Sequence, residues 1–128
     1  MNSLLFVVLA VIAFFLLLQG LIRFAAYRRK GSLIPELNGD LGRRIKNGNR
    51  LLLYFYSPAC GACRSMTPVI EKMQSENKNV IKINILDESN LARQLGVWGT
   101  PATLVVENAR INQFLLGART ESYLRKLV

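Results

Sequence analysis

Hydrophobic positions along the 128-residue chain fall into one long block and several short ones. Residues 4–22, LLFVVLAVIAFFLLLQGLI, place 17 apolar side chains in 19 positions without a charge. As a helix this run is about 28 Å long, enough to cross the hydrocarbon core of a bilayer. A helix apolar on every face could also be buried in a protein, but the hundred or so residues that follow are too few to surround one. A cleaved signal peptide fits less well, because no Lys or Arg precedes the run and no small-x-small site cleanly follows it. The pattern therefore predicts an uncleaved transmembrane anchor over residues 1–30, counting its basic flank.

Past the anchor the pattern changes period. Gly31 to about Gly39, containing Ser32 and Pro35, reads as a linker, and Asn38-Gly39-Asp40 opens a short helix that stops near Asn47-Gly48-Asn49. Leu51 to Tyr56 is an unbroken apolar and aromatic run, the mark of a strand buried on both faces. A helix is predicted to start close to Cys60, with Met66, Val69, Ile70 and Met73 on one face and a kink at Pro68. Residues 80–85 alternate as a strand, and residues 87–95 form a helix capped by Asp87 or Ser89 and closed by Gly96. Residues 102–107 and 111–116 are strands joined by a hairpin at Asn108-Ala109-Arg110, and a last helix covers about 120–127. Two β-α units, a hairpin and a closing helix give an α/β domain over residues 40–128, with a four-stranded mixed sheet flanked by helices.

Composition sharpens this division. The chain is 51% hydrophobic, but residues 23–128 carry only about 44%, an ordinary globular share. Of 17 Lys+Arg against 8 Asp+Glu, four cations (Arg23, Arg28, Arg29 and Lys30) flank the anchor, where with Tyr27 they suit lipid headgroups. The remaining +5 is scattered, and nothing requires a nucleic-acid partner. Two cysteines and no histidine cannot by themselves make a structural zinc site or a hydrolytic triad.

Both cysteines sit in Cys60-Gly61-Ala62-Cys63, directly after a buried strand and where a helix begins. A sulfur there meets unpaired backbone N–H groups and the positive helix end, which favour its thiolate. The second sulfur, a turn later on the same face, is within reach for a disulfide. Gly61 and Ala62 are small enough to let another chain approach. Two inert core cysteines, or a metal site completed by a partner's ligands, are the alternatives, but the spacing on a strand-to-helix turn favours a redox pair.

From Cys60-Gly61-Ala62-Cys63, the strand ending Tyr54-Phe55-Tyr56, Pro68, Gly99-Thr100-Pro101 and Gly117, the chain over roughly residues 40–128 resembles the thioredoxin family. The resemblance implies a thioredoxin-like fold, preceded here by one transmembrane helix. It implies that Pro101 is cis beside the cysteine pair and that the Thr100 backbone hydrogen-bonds extended substrate, recognition by strand addition. Residues alone would make Pro101 a strand-starting proline. Trp98 lies near this loop, either covering part of the site or half-buried in packing. Three positions depart from the family: Ala62 replaces a proline, Ala59 a tryptophan, and Tyr54 stands where the family has a buried acid. Lys82 matches the family's buried lysine without that acid.

The implied activity is thiol-disulfide exchange, with Cys60 as nucleophile, Cys63 resolving, and Thr100, Pro101, Gly61, Ala62 and Trp98 contacting substrate. The expected direction is reduction of protein disulfides, with no cofactor or metal, and with a redox partner recharging the pair. A module kept as a structural or assembly subunit of a membrane complex is the alternative. The cations after the anchor favour a cytoplasmic domain. Tethered bacterial relatives commonly work in the periplasm, and a single-pass inner-membrane protein with a periplasmic domain is the preferred reading.

Overall fold

The computed structural model describes residues 2–128. Met1 and the side chains of Ala26 and Arg29 lie outside the described residues, and with them the headgroup contact expected of Arg29. Helix α1 (Asn2–Arg29) is apolar on every side as far as Ile22, and its described side chains are exposed. Its Asn2–Ala25 portion, 24 residues with mean hydropathy 2.9, is long and apolar enough to span a membrane or to act as a signal sequence.

The domain follows as α2 (Gly39–Lys46), β1 (Leu51–Tyr56), α3 (Cys63–Glu76), β2 (Val80–Asn84), α4 (Ser89–Gln94), β3 (Ala102–Glu107), β4 (Arg110–Leu116) and α5 (Glu121–Arg125). The four strands form one sheet in the order β2-β1-β3-β4. β2 runs parallel to β1, while the β1–β3 and β3–β4 pairs are antiparallel. This is the four-stranded mixed sheet anticipated from the pattern.

Burial explains the arrangement. Leu51, Leu53 and Phe55 of β1 point to one face, where they meet Ile45 of α2, Ala92 of α4 and Leu95 at its end. Leu52 and Tyr54 point to the other, against Met66, Ile70 and Met73 of α3 and Leu124 of α5. The first five residues of β1 are fully buried, as an unbroken apolar run in a central strand requires.

Local differences from the pattern have local causes. The hairpin turn is two residues, not three: Asn108 and Ala109 both take positive φ (52° and 58°), the backbone of a tight turn that matches strand twist, and Arg110 joins β4. Glu88 occupies the cap position of α4 and no side chain caps it. Neither Asp87 nor Ser89 is used, because Asn84 organises the preceding turn, its Oδ1 accepting from the Leu86 N–H and its carbonyl from the Glu88 N–H. Residues 31–34 run beside the outer edge of β4. Ile111 N–H donates to Ser32 O, Ile34 N–H donates to Ala109 O, and Leu33 bridges Arg110.

Candidate active site

β1 ends at Tyr56, and Ser57 to Ala62 form turns before α3 begins at Cys63, three residues later than the pattern suggests. Cys60 thus lies outside the helix. Its Sγ accepts a hydrogen bond from the Cys63 N–H at 3.2 Å, while Ala62 holds the N-cap position without a side-chain cap. That amide is the only hydrogen-bond donor to Cys60 Sγ among the described residues. The two cysteines form a disulfide with Cα atoms 5.3 Å apart. Cys63 is buried at 2% exposure, whereas Cys60 is partly exposed and Gly61 and Ala62 are open to solvent. A Cβ placed on Gly61 would meet nothing within 4 Å, so a chain can approach this corner freely.

The Thr100-Pro101 peptide bond is cis. Pro101 is buried and its carbonyl accepts from the Gly117 N–H at 2.9 Å. Sheet register gives its location: Ala102 pairs with Phe55, so Pro101 stands at the end of the sheet where β1 runs into the Cys60 turn. Among the described residues nothing hydrogen-bonds to the Thr100 backbone. Trp98 is 74% exposed, so the half-buried packing role does not hold.

Beneath this corner lies a polar group that the sequence only half revealed. Tyr54 is fully buried, its hydroxyl 3.0 Å from Thr67 Oγ1, and its ring stacks on Tyr56 at 6.1 Å. Thr67 follows Cys63 by four residues, placing both on one face of α3. Burial pushes the Tyr54 phenol above its ordinary value, against a smaller opposing effect of the Thr67 hydrogen bond. Lys82 finds an acid after all: its Nζ lies 2.7 Å from Glu71 Oε1 of α3 and 5.2 Å from the Tyr56 ring centre. The Glu71 hydrogen bond raises the Lys82 pKa and keeps the amine charged. Thr67 lies one turn from Cys63, but nothing in the sequence pairs its hydroxyl with Tyr54. Glu71 gave no signal, since its partner is 11 residues away on another element.

Comparison with known proteins adds scale. The model of the family described as Thioredoxin matches residues 38–128. The chain is 27% identical over 81 residues to thioredoxin from Haemophilus influenzae, covering 61% of this chain and 76% of that one. It is 30% identical over 81 residues to the chloroplastic thioredoxin M5 of Oryza sativa, covering 61% of this chain and spanning 47% of that protein's length. Thioredoxin NaTrxh from Nicotiana alata superposes with a TM-score of 0.57 at 26% identity, over 66% of this chain and 74% of that one. A mutant thioredoxin from Halobacterium salinarum gives 0.60 at 24% identity, over 77% and 93%, a likeness of fold.

Proposed function

Since this chain belongs to the thioredoxin family and is a thiol-disulfide oxidoreductase, we propose that it is a membrane-tethered reductase of protein disulfides acting through Cys60 and Cys63. The observation that carries the reading is the unequal exposure of the pair: Cys60 faces solvent and Cys63 is buried. Cys60 thiolate attacks one sulfur of a substrate disulfide, and the other substrate sulfur leaves as a thiol. Deprotonated Cys63 then attacks Cys60 Sγ, releasing the second substrate thiol and closing the 60–63 disulfide. Two electrons pass from the pair to the substrate, and a dithiol partner returns them.

Reduction of the substrate is the direction we propose; in the disulfide form one backbone amide reaches Cys60 Sγ. Thr100, with its backbone groups unpaired, and the cis Pro101 provide the edge on which extended substrate pairs, Gly61 and Ala62 leave room for it, and Trp98 offers an exposed apolar contact. Residues 1–30 act as the anchor, 31–39 as the connection and 40–128 as the catalytic domain. The length and apolarity of α1 support the tether. An inner-membrane protein with its domain in the periplasm is the proposed location, the compartment that the family resemblance implies for a tethered member.

Reduction of a disulfide-linked test protein by the full chain in detergent micelles, with a dithiol as electron source, tests the assignment. Wild type turns over, Cys60→Ser is inactive, and Cys63→Ser accumulates a mixed disulfide with substrate. Undiminished turnover in Cys60→Ser refutes it and favours a structural or assembly subunit. A reporter fused after Val128, active on one side of the membrane only, tests the location.

A further inference from the structure

Where α1 leaves its apolar stretch it does not swing free of the domain but packs along β4. The two run in opposite senses. Gly31 N–H donates to Ile111 O at one end, and Ile22 and Leu116 line one cavity at the other. The lengths agree: the nine-residue step from Ile22 to Gly31, helical as far as Arg29, rises about 13 Å, and the five-residue step from Ile111 to Leu116 spans about 16 Å. Leu116 is therefore level with Ile22, inside the membrane-compatible stretch that ends at Ala25. Leu116 pairs with Ala102, and Ala102 with Phe55, so this is also the end of the sheet that carries Cys60 and Pro101.

The cavity at this junction has a volume of about 380 Å³. Arg23 from α1, Lys30 from the turn that follows it and Arg119 from the segment after β4 line it, together with Tyr27, and no acid does. Among the described residues none of the three cations has a carboxylate partner. The nearest acceptor to Arg119 is its own neighbour, the Ala118 carbonyl, at 3.0 Å. Cations from two separate elements around a space at headgroup depth, with an apolar rim formed by Ile22 and Leu116, match an anionic phospholipid: phosphate among the guanidinium and ammonium groups, acyl chains beside the rim.

We propose that the cavity between the end of α1 and β4 is a binding site for an anionic phospholipid headgroup, and that its occupation docks the domain with the Cys60–Cys63 end facing the bilayer. The substrates are then disulfides held close to the membrane surface, in membrane proteins or in chains still attached to the membrane. This rests on α1 spanning the membrane, as proposed above.

Trp98 is the chain's one tryptophan, exposed and three residues before Pro101, and it is a native reporter for this docking. The full chain is reconstituted in phosphatidylglycerol vesicles and in phosphatidylcholine vesicles, each with a trace of lipid carrying a nitroxide on its headgroup. Flotation after alkaline carbonate washing checks the tether independently. The expected result is quenching of Trp98 in phosphatidylglycerol that weakens in phosphatidylcholine and with added salt. Arg119→Gln shifts docking by about fivefold, the effect of one basic residue near an anionic surface, and Arg119→Lys restores most of it. Arg119→Gln also slows reduction of a disulfide peptide lipid-anchored to the same vesicle, while a soluble disulfide peptide is reduced at the wild-type rate, which shows that the variant is folded. If the chain floats but Trp98 is unquenched, or is quenched equally in both lipids and in Arg119→Gln, the headgroup site is wrong and the tether stands. Loss of quenching on adding inorganic phosphate at constant ionic strength makes free phosphate the ligand and also overturns it. If the chain does not float, the membrane reading itself fails.

Discussion

Tyr54 and Thr67 form a hydroxyl pair whose two halves differ in burial, and that difference predicts an asymmetric double-mutant cycle. Tyr54→Phe keeps the buried ring and its stack on Tyr56 but removes the hydroxyl 3.0 Å from Thr67 Oγ1. Thr67 is only partly buried, so its freed hydroxyl can turn to water and the loss is that of one net hydrogen bond, about 1 kcal/mol. Thr67→Val keeps shape and β-branching but strands the Tyr54 hydroxyl in a site with 0% exposure, at about 1–3 kcal/mol. The double variant removes both groups and should be no less stable than Thr67→Val alone. Urea and thermal unfolding of the oxidised chain would measure this, with Tyr54→Phe lowering the midpoint by about 4–8 °C. The phenol also sets a pH dependence. Its pKa is raised in the folded state, so the native protein holds that proton more tightly than the unfolded chain does. Its contribution is intact below about pH 10 and is lost as pH climbs past the folded value, so the gap between wild type and Tyr54→Phe narrows in strong alkali. A Thr67→Val variant more stable than Tyr54→Phe, or a gap that widens with alkali, would refute the reasoning.

Two further outcomes follow from the domain's packing. A Cβ at Gly42 would stand 1.9 Å from the Leu37 carbonyl oxygen, a backbone atom that cannot yield, so Gly42→Ala should destabilise by about 1–3 kcal/mol despite alanine's better helix propensity. Gly20→Ala, with nothing within 4 Å, is the control in the same urea titration. Arg125 holds Glu76 at 2.7 Å and Glu121 at 2.8 Å, and its hydrogen bonds are the main cause that keeps both carboxyls below their ordinary range. Groups with lowered folded pKa stabilise above the unfolded value of about 4.5 and lose that stabilisation as pH falls. The acid limb of the stability profile should therefore flatten in Arg125→Ala, and an unchanged limb would remove the pair from the account.

How much of this was legible in the sequence depended on the range of the interaction. The run from Leu51 to Tyr56 could be read as a central strand because six consecutive apolar residues have few other uses in a small domain. The cysteine spacing and the proline before β3 marked the two loops that carry the disulfide and the cis peptide bond. α3 begins at Cys63 and not near Cys60 because residues 57–62 are held in turns, with the Cys60 N–H donating to Ser57 O and Cys60 Sγ accepting from the Cys63 N–H, and no helix-start residue marks that boundary. Three features stayed hidden for a different reason. The Glu71–Lys82 pair, the Tyr54–Thr67 hydroxyls and the approach of Arg119 to the end of α1 each join separate elements, and side chains on separate elements meet only once the sheet order is known.

The strip of backbone from Gly31 to Ile34 bears on how the chain avoids its own copies. β4 is the last strand of the sheet, and its outer edge would otherwise offer bare N–H and C=O groups to any neighbouring strand. Residues 31–34 occupy that edge at Ala109 and Ile111, and the end of α1 lies along the remainder. The connection is thus a guard rail, keeping sheets on adjacent molecules from zipping together. A soluble form trimmed to residue 38 would keep the cysteine pair and lose that protection.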